Sequence, residues 1–235
     1  MLELRDIHVH YGTSHVVQGL SLQAAAGEVV GIFGRNGVGK TTLLKTIAGW
    51  LEPTSGHIVF QGKEIQGLST YRIARMGVGF VPEDRRIFPD LTVEENLTLG
   101  YMQAPGRPGS KNRAALQAIY DQFPRLSERR QQAGSTLSGG EQQMLAMARA
   151  MIGEARLYLI DEPSEGLAPM IVADVYRIIR AMKAAGCTIL LVEQNVTNAL
   201  EVCDRFVAIE RGQIVHTGSA ASETDKAALL KAIAV

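Results

Sequence analysis

Residues 34–42, Gly34-Arg35-Asn36-Gly37-Val38-Gly39-Lys40-Thr41-Thr42, decide how this chain folds. They fit the phosphate-binding pattern of a glycine, four residues, then Gly-Lys and a Ser or Thr. The stretch before them, Glu28-Val29-Val30-Gly31-Ile32-Phe33, is short, apolar and rich in β-branched and aromatic residues, as a buried strand is. After them Leu43, Leu44, Ile47 and Ala48 recur at helical spacing up to Trp50. A strand, a glycine loop and a helix start, in that order, aim backbone N–H groups and the positive end of a helix dipole at an anion. Lys40 would neutralise β- and γ-phosphate oxygens, and the Thr41 hydroxyl would ligate magnesium. The loop therefore predicts binding of a nucleoside triphosphate.

The 235 residues suffice for one α/β domain with an inserted subdomain. Lys and Arg balance Asp and Glu, 24 against 24, so no broad field advertises nucleic acid or an anionic membrane. Cys187 and Cys203 lack CxxC spacing and a nearby His cluster, and read as small core residues in a reducing compartment. The N-terminus, Met1-Leu2-Glu3-Leu4-Arg5-Asp6, carries charges where a signal peptide would have its apolar centre. No apolar run approaches the roughly 20 residues needed to cross a bilayer. A soluble, cytoplasmic protein that reaches a membrane only through a partner is expected.

Leu2 and Leu4 alternate with charges, and Ile7 and Val9 continue on a shifted phase after Arg5-Asp6. This predicts an edge-type antiparallel strand with a bulge, ending at Tyr11-Gly12. Further strands are expected over 16–22, 57–60, 77–81, 157–160, 188–192, 206–209 and 213–216, with turns at Pro53-Thr54-Ser55-Gly56 and Arg211-Gly212. Helices are expected over 41–49, 69–75, 114–123 (broken by Pro124), 172–184 and 226–234, the last capped by Ser222 and Asp225. Thr92-Val93-Glu94-Glu95 has capping-box spacing and starts another. Residues 103–112, with two prolines and two glycines, read as a loop within a helical insertion. Strand–helix alternation indicates a parallel α/β sheet.

Two further stretches carry chemistry. Leu157-Tyr158-Leu159-Ile160-Asp161-Glu162 is an apolar strand ending in two acids. A carboxylate at that tip, beside a phosphate loop, is placed to hold magnesium, which fits Asp161. Glu162 then points where water attacks a γ-phosphate, making it the candidate general base. In Thr136-Leu137-Ser138-Gly139-Gly140-Glu141-Gln142-Gln143, Ser138 and Glu141 have capping-box spacing, and Met144, Leu145, Met147, Ala148 and Met151 form a buried face. Two glycines in a first turn cost helix stability, which suggests close approach to that backbone, and an anion would account for it.

In this order and spacing, residues 34–41, 137–141 and 157–162 resemble the Walker A, signature and Walker B elements of ATP-binding-cassette (ABC) ATPases, over essentially the whole chain. The resemblance implies a P-loop NTPase (RecA-like) α/β core with an N-terminal antiparallel β subdomain and an inserted α-helical signature subdomain. One ABC domain over 1–235 would divide into a core at 1–95 and 154–221, helices at 96–153 and a C-terminal helix at 222–235. It implies ATP and Mg2+ as cofactors, and a dimer in which two cassettes sandwich two nucleotides head to tail. Gly34 to Thr42 would then hold the chain's own ATP, while Leu137, Ser138, Gly139, Gly140 and Glu141 would touch the partner's. Tyr11 matches the aromatic that stacks on adenine.

Three positions depart from the common ABC pattern: Glu83 stands where most cassettes have Gln, Gln194 where a switch His is usual, and Ala168 where the loop after Glu162 usually ends in Asp. Glu83 can still ligate magnesium. Gln194, at a catalytic position, can hydrogen-bond a phosphate but cannot carry a proton or a positive charge. Residues 81–88, 166–169 and 191–195 resemble the ATPase subunits of branched-chain (hydrophobic) amino acid importers, and a closely similar subunit serves urea or short-amide importers. That implies a second ABC ATPase subunit, alike or different, two transmembrane permease subunits touched by Glu83 to Asp90, and indirectly an extracytoplasmic substrate-binding protein. The place would be peripheral, on the cytoplasmic face of the inner membrane. Cassettes that act on nucleic acid or ribosomes tend to carry two cassettes, a long coiled coil or basic extensions; with none of these here, no nucleic-acid partner is expected.

Overall fold

The computed structural model describes residues 1–103 and 113–233. From residue 104 on, the loop expected over 103–112 lies outside the described residues, as does residue 234 of the expected last helix. In chain order, β1 (Leu2–Tyr11), β2 (Ser14–Ala24) and β3 (Val29–Phe33) lead into α1 (Lys40–Ile47). There follow β4 (Ser55–Phe60), β5 (Lys63–Glu64), α2 (Thr70–Arg75) and β6 (Val78–Val81). A helical stretch comes next, with α3 (Val93–Met102), α4 (Arg113–Gln122), α5 (Pro124–Glu128) and α6 (Gly139–Met151). The chain closes with β7 (Leu157–Asp161), α7 (Pro169–Ala184), β8 (Thr188–Val192), α8 (Val196–Leu200), β9 (Arg205–Glu210), β10 (Gln213–Ser219) and α9 (Glu223–Ile233).

These elements form two sheets. One is antiparallel, in the order β2-β1-β4-β5; the other runs β10-β9-β3-β8-β7-β6. In the larger sheet β9, β3, β8, β7 and β6 are mutually parallel and β10 alone is antiparallel. Every residue of β3, β7 and β8 is buried. Their side chains divide by strand periodicity between two cores. Val30, Ile32, Leu157, Leu159, Leu190 and Val192 face α1 and the antiparallel sheet. Val29, Phe33, Tyr158, Ile160, Ile189 and Leu191 face the helices on the other side. Burial of each such Val, Leu or Ile contributes about 1.5–3 kcal/mol. The larger sheet is thus held from both faces, which fixes where its strand ends point.

The bulge expected in β1 is present: Asp6 has φ 51° and the register with β2 shifts between Leu4 and Ile7. The extra residue keeps Leu2, Leu4, Ile7 and Val9 all buried in one core. The strand is not an edge, however, because β2 and β4 pair with it on either side. Alternation reports a strand with one wet face and says nothing about its neighbours. Pro124, expected to break a helix, also begins α5 at its first position, where a missing N–H costs nothing. The last helix starts at Glu223 because Ser222 Oγ accepts the Asp225 N–H at 3.2 Å, while the Asp225 carboxylate turns back to the Ser219 N–H at 2.8 Å. Only Ser222 therefore caps it. Both expected capping boxes form, at Thr92/Glu95 and Ser138/Glu141.

Candidate functional site

The carboxyl ends of β3, β6, β7 and β8 lie on one rim of the large sheet, where ligands collect in open α/β folds. From β3 the chain turns through the loop 34–39 into α1. A Cβ at Gly34 would stand 2.4 Å from the Ile209 carbonyl oxygen, and its φ is 153°, so only glycine fits. Beside this loop opens a cavity of about 250 Å³ lined by Val16, Asn36, Gly37, Gly39, Lys40, Thr41, Thr42, Glu83, Glu162, Glu165 and Gln194. The Lys40 ammonium donates to the carbonyls of Gly34 (2.9 Å) and Arg35 (3.1 Å) and lies 3.4 Å from Glu162 Oε1. The loop thus holds its own lysine against the site. The Thr41 hydroxyl donates to Asp161 Oδ1 at 3.1 Å across the helix–strand gap.

Acids crowd the opposite wall. Burial and the neighbouring Glu162 and Glu83 carboxylates push Asp161 up to about 6, against the Thr41 hydrogen bond that favours its charge. Glu162 follows β7 with φ 44°, a left-handed backbone that turns its side chain into the cavity. Burial pushes the Glu162 carboxyl up, but hydrogen bonds from Glu165 and Gln194 and the Lys40 ammonium outweigh it and hold the group below the usual range. Gln194 Nε2 donates to Glu162 Oε2 at 2.7 Å. Glu165 is pushed up to about 7, chiefly by its hydrogen bond to Glu162 and then by burial. Of the two neighbouring carboxyls, Glu165 is therefore the one that holds a proton more readily.

Oxygen atoms of Glu83, Glu162 and Glu165 lie within 4.8 Å of one another. With the Thr41 hydroxyl and Asp161 alongside, this all-oxygen donor set suits a hard divalent cation such as magnesium. Glu165 went unnoticed in the sequence, although its place three residues after Glu162 was a signal. The Glu165 N–H donates to the Glu162 carbonyl at 3.2 Å, closing a turn that brings the two carboxyls together. Glu193 is a second omission. It is buried, accepts N–H bonds from Ser164 (3.2 Å) and Gln194 (3.1 Å), and so ties the β7 and β8 ends together.

The remaining expected site residues lie elsewhere. Tyr11, at the end of β1, is half exposed and outside the cavity. None of Leu137, Ser138, Gly139, Gly140 or Glu141 lines it either. Ser138 caps α6, its Oγ accepting the Glu141 N–H at 3.3 Å, while Glu141 Oε2 accepts from the Ser138 N–H and hydroxyl at 2.9 Å each. Glu141 also pairs with Arg129 at 2.7 Å, and these contacts outweigh burial to lower its carboxyl. One glycine has an internal reason besides the anion expected from sequence. A Cβ on Gly140 would meet Ile171 at 2.9 Å, so α7 packs directly on that backbone. Gly139 and Ser138 stay exposed.

A loop gripping a lysine at a strand end, with paired acids on the next strands of the sheet, defines a P-loop nucleotide-binding cassette. The family model described as "ABC transporter" matches residues 17–165. The chain is 42% identical over 224 residues to the high-affinity branched-chain amino acid transport ATP-binding protein BraG of Pseudomonas aeruginosa, covering 94% of each chain. It is 34% identical to the probable branched-chain amino acid transport ATP-binding protein LivF of Archaeoglobus fulgidus (94% of this chain, 92% of that one). It is also 32% identical to the lipopolysaccharide export system ATP-binding protein LptB of Acidithiobacillus ferridurans, covering 93% and 90%. Among solved structures, an ATP-binding subunit of an ABC transporter superposes with a TM-score of 0.84 at 28% identity, covering 97% and 94%. A dimeric bacterial ABC transporter cassette, at 22% identity, gives 0.86 over 94% and 99%, a likeness of fold. The chain belongs to the ABC transporter family. It is an ATP-binding, ATP-hydrolysing subunit of such a transporter, and it resembles the branched-chain amino acid importer ATPases. Among the described residues no helix is long and apolar enough to cross a membrane.

Proposed function

We propose that this chain powers an importer of branched-chain or other hydrophobic amino acids, working as one of two cassettes beneath two permease subunits on the cytoplasmic face of the inner membrane. The 42% identity to the Pseudomonas aeruginosa protein over 94% of both chains carries this reading. The departures Glu83, Gln194 and Ala168 agree with it. In the division that fits this role, residues 1–95 and 154–221 form the nucleotide-binding core, 96–153 the signature helices and 222–235 a terminal helix.

The loop N–H groups and Lys40 bind the triphosphate of ATP, and the exposed Tyr11 stacks on its adenine. Thr41, Asp161 and Glu83 would hold Mg2+, which when bound neutralises phosphate oxygens. Glu162 takes the proton of the attacking water, and Gln194 orients that carboxylate through their 2.7 Å bond. Ser138, Gly139 and Gly140 grip the partner's ATP, consistent with the exposure of Ser138 and Gly139 and with the absence of all three from the lining of this chain's own cavity. For the permease, a groove of about 380 Å³ offers Trp50, Tyr71, Phe80, Phe88 and Arg149. Trp50, Tyr71 and Phe88 are exposed there, and large apolar side chains held in water at a groove favour a protein partner.

The test is affinity purification of the tagged chain from solubilised membranes, followed by ligand binding to the extracytoplasmic protein encoded or purified with its permeases. Leucine, isoleucine or valine as the ligand supports the reading. Urea or a short amide would narrow it to the related importers, and exporter permeases in the complex would overturn it.

A further inference from the structure

The turn after β6 holds two consecutive arginines in left-handed backbone, Arg85 at φ 61° and Arg86 at φ 44°. Neither is glycine or asparagine, so each conformation is strained and persists only because its surroundings enforce it. The Arg85 N–H bonds the Pro82 carbonyl at 3.0 Å, and the Arg86 N–H bonds the Asp84 carbonyl at 2.6 Å, making a three-residue turn centred on Arg85. Arg149 Nη2 reaches the Arg85 carbonyl at 3.5 Å.

This turn sends the two side chains in different directions. Arg86 Nε donates to both Asp84 carboxylate oxygens, at 3.0 and 2.8 Å, and the guanidinium lies over the Trp50 ring, 4.5 Å from its centroid, at the groove. Arg85 goes to the signature turn. Its Nη1 would stand 3.2 Å from a Cβ on Gly139, with Nη2 at 3.6 Å, and Nη1 donates a long 3.5 Å bond to Gln142 Oε1. No carboxylate lies within ion-pair distance of Arg85 among the described residues, although Asp84 is its neighbour and is taken by Arg86. A half-buried guanidinium without a counter-charge, delivered by a strained turn against an exposed glycine, lacks its anion.

We propose that Arg85 binds the phosphates of the partner subunit's ATP, adding a cation to the grip of Ser138, Gly139 and Gly140. This rests on the reading that the signature residues act on the partner's nucleotide. A planar guanidinium can give two parallel N–H bonds to phosphate oxygens, which a lysine in the same place cannot. The contribution is made only in the closed dimer, because Arg85 does not line this chain's own cavity.

The experiment measures the ATP concentration that half-saturates dimer formation of the Glu162→Gln protein by light scattering, beside monomer affinity for a fluorescent ATP analogue. Adding Arg85→Gln is expected to raise the half-saturating ATP about tenfold, leaving monomer affinity within about twofold, as loss of one charged hydrogen-bonding group predicts. Arg85→Lys should fall between the two. Ser138→Arg, which blocks the signature, should abolish the dimer. If Ser138→Arg dimerises like its parent, the partner-site reading itself is wrong. If Ser138→Arg fails to dimerise while Arg85→Gln needs no more ATP than its parent, the Arg85 proposal alone is overturned. Should Arg85→Gln lose monomer affinity, Arg85→Met, which keeps the apolar stem, decides on the same readout.

Discussion

Replacing Gln194 by Ala tests whether this side chain works through Glu162. Its amide donates to Glu162 Oε2 at 2.7 Å, a charge-assisted bond of about 1.5–3 kcal/mol when fully dry. Glu162 is buried but Gln194 is exposed, so water replaces part of what the variant loses. About 1.4 kcal/mol remains, a tenfold loss of kcat. KM for ATP should barely move, since the groups proposed to bind the triphosphate are Lys40 and the loop, and Lys40 is held by the carbonyls of Gly34 and Arg35 rather than by Gln194. The pH profile supplies the sharper readout. Glu162 sits below its usual range through Glu165 first, then Gln194 and Lys40, against burial. Removing one of those bonds raises it, so the acid limb of kcat should move to higher pH and the loss should be greatest at acidic pH. Phosphate release by the variant and by Gln194→Glu, which keeps the shape and adds a charge beside two carboxyls, would be followed from acidic to mildly alkaline pH. Parental kcat with an unmoved acid limb in Gln194→Ala would refute the orienting role.

Three other outcomes are expected. Glu162→Gln should keep ATP affinity, lose at least about a hundredfold in turnover as removal of a general base does, and accumulate an ATP-bound dimer on size exclusion; parental turnover would reassign the base. Asp161→Asn should stabilise the magnesium-free protein. Asp161 is raised from 3.8 to about 6, mainly by burial, so its cost is absent below the lower value, grows between the two and is full above about 6. That is up to about 3 kcal/mol at neutral pH, several degrees in Tm by differential scanning calorimetry, with no gain near pH 3. Gly140→Ala should lower Tm, because its Cβ would meet Ile171 at 2.9 Å. Overpacking of about 1–3 kcal/mol exceeds the helix-propensity gain of up to about 1, and Ile171→Ala should relieve it; strictly additive Tm changes would exclude the contact.

How much of this was legible in the sequence depends on whether a feature is local. The strands β3, β7 and β8 and both capping boxes announce themselves within a few residues, so the nucleotide cavity could be drawn before any coordinates. Its neighbours could not. That β1 is interior depends on β4, which lies some fifty residues away and pairs with it through Leu2–Phe60 and Leu4–Ile58. α5 and α8 are five residues each, too short to show a period. Glu165 was passed over because a turn acid reads as solvated, and only the fold shows that Glu162 and Glu83 converge on it. Gly140 shows the opposite error. Its cost to the helix was correctly noticed, but the ligand was given all of the explanation and Ile171 none.

Set against the common ABC pattern, the replacements at Glu83 and Gln194 move the site in one electrostatic direction. Glu for Gln adds an anion, and Gln for His removes the side chain able to become a cation near neutral pH. Three carboxyls, Glu83, Glu162 and Glu165, line the cavity with Lys40, the one cation among its described lining residues, and Asp161 feels the charges of Glu162 and Glu83. Like charges this close oppose one another's ionisation, and Asp161 and Glu165 are both raised, to about 6 and about 7. Such a wall repels the triphosphate unless a cation intervenes. A divalent cation held by Thr41, Asp161 and Glu83, as proposed, would act here twice, screening ATP from the acids and letting Asp161 ionise without its burial cost. On the proposed roles, the charge that a switch histidine would carry comes from elsewhere, and Gln194 would contribute by shape, its amide donating to Glu162 at 2.7 Å, rather than by charge.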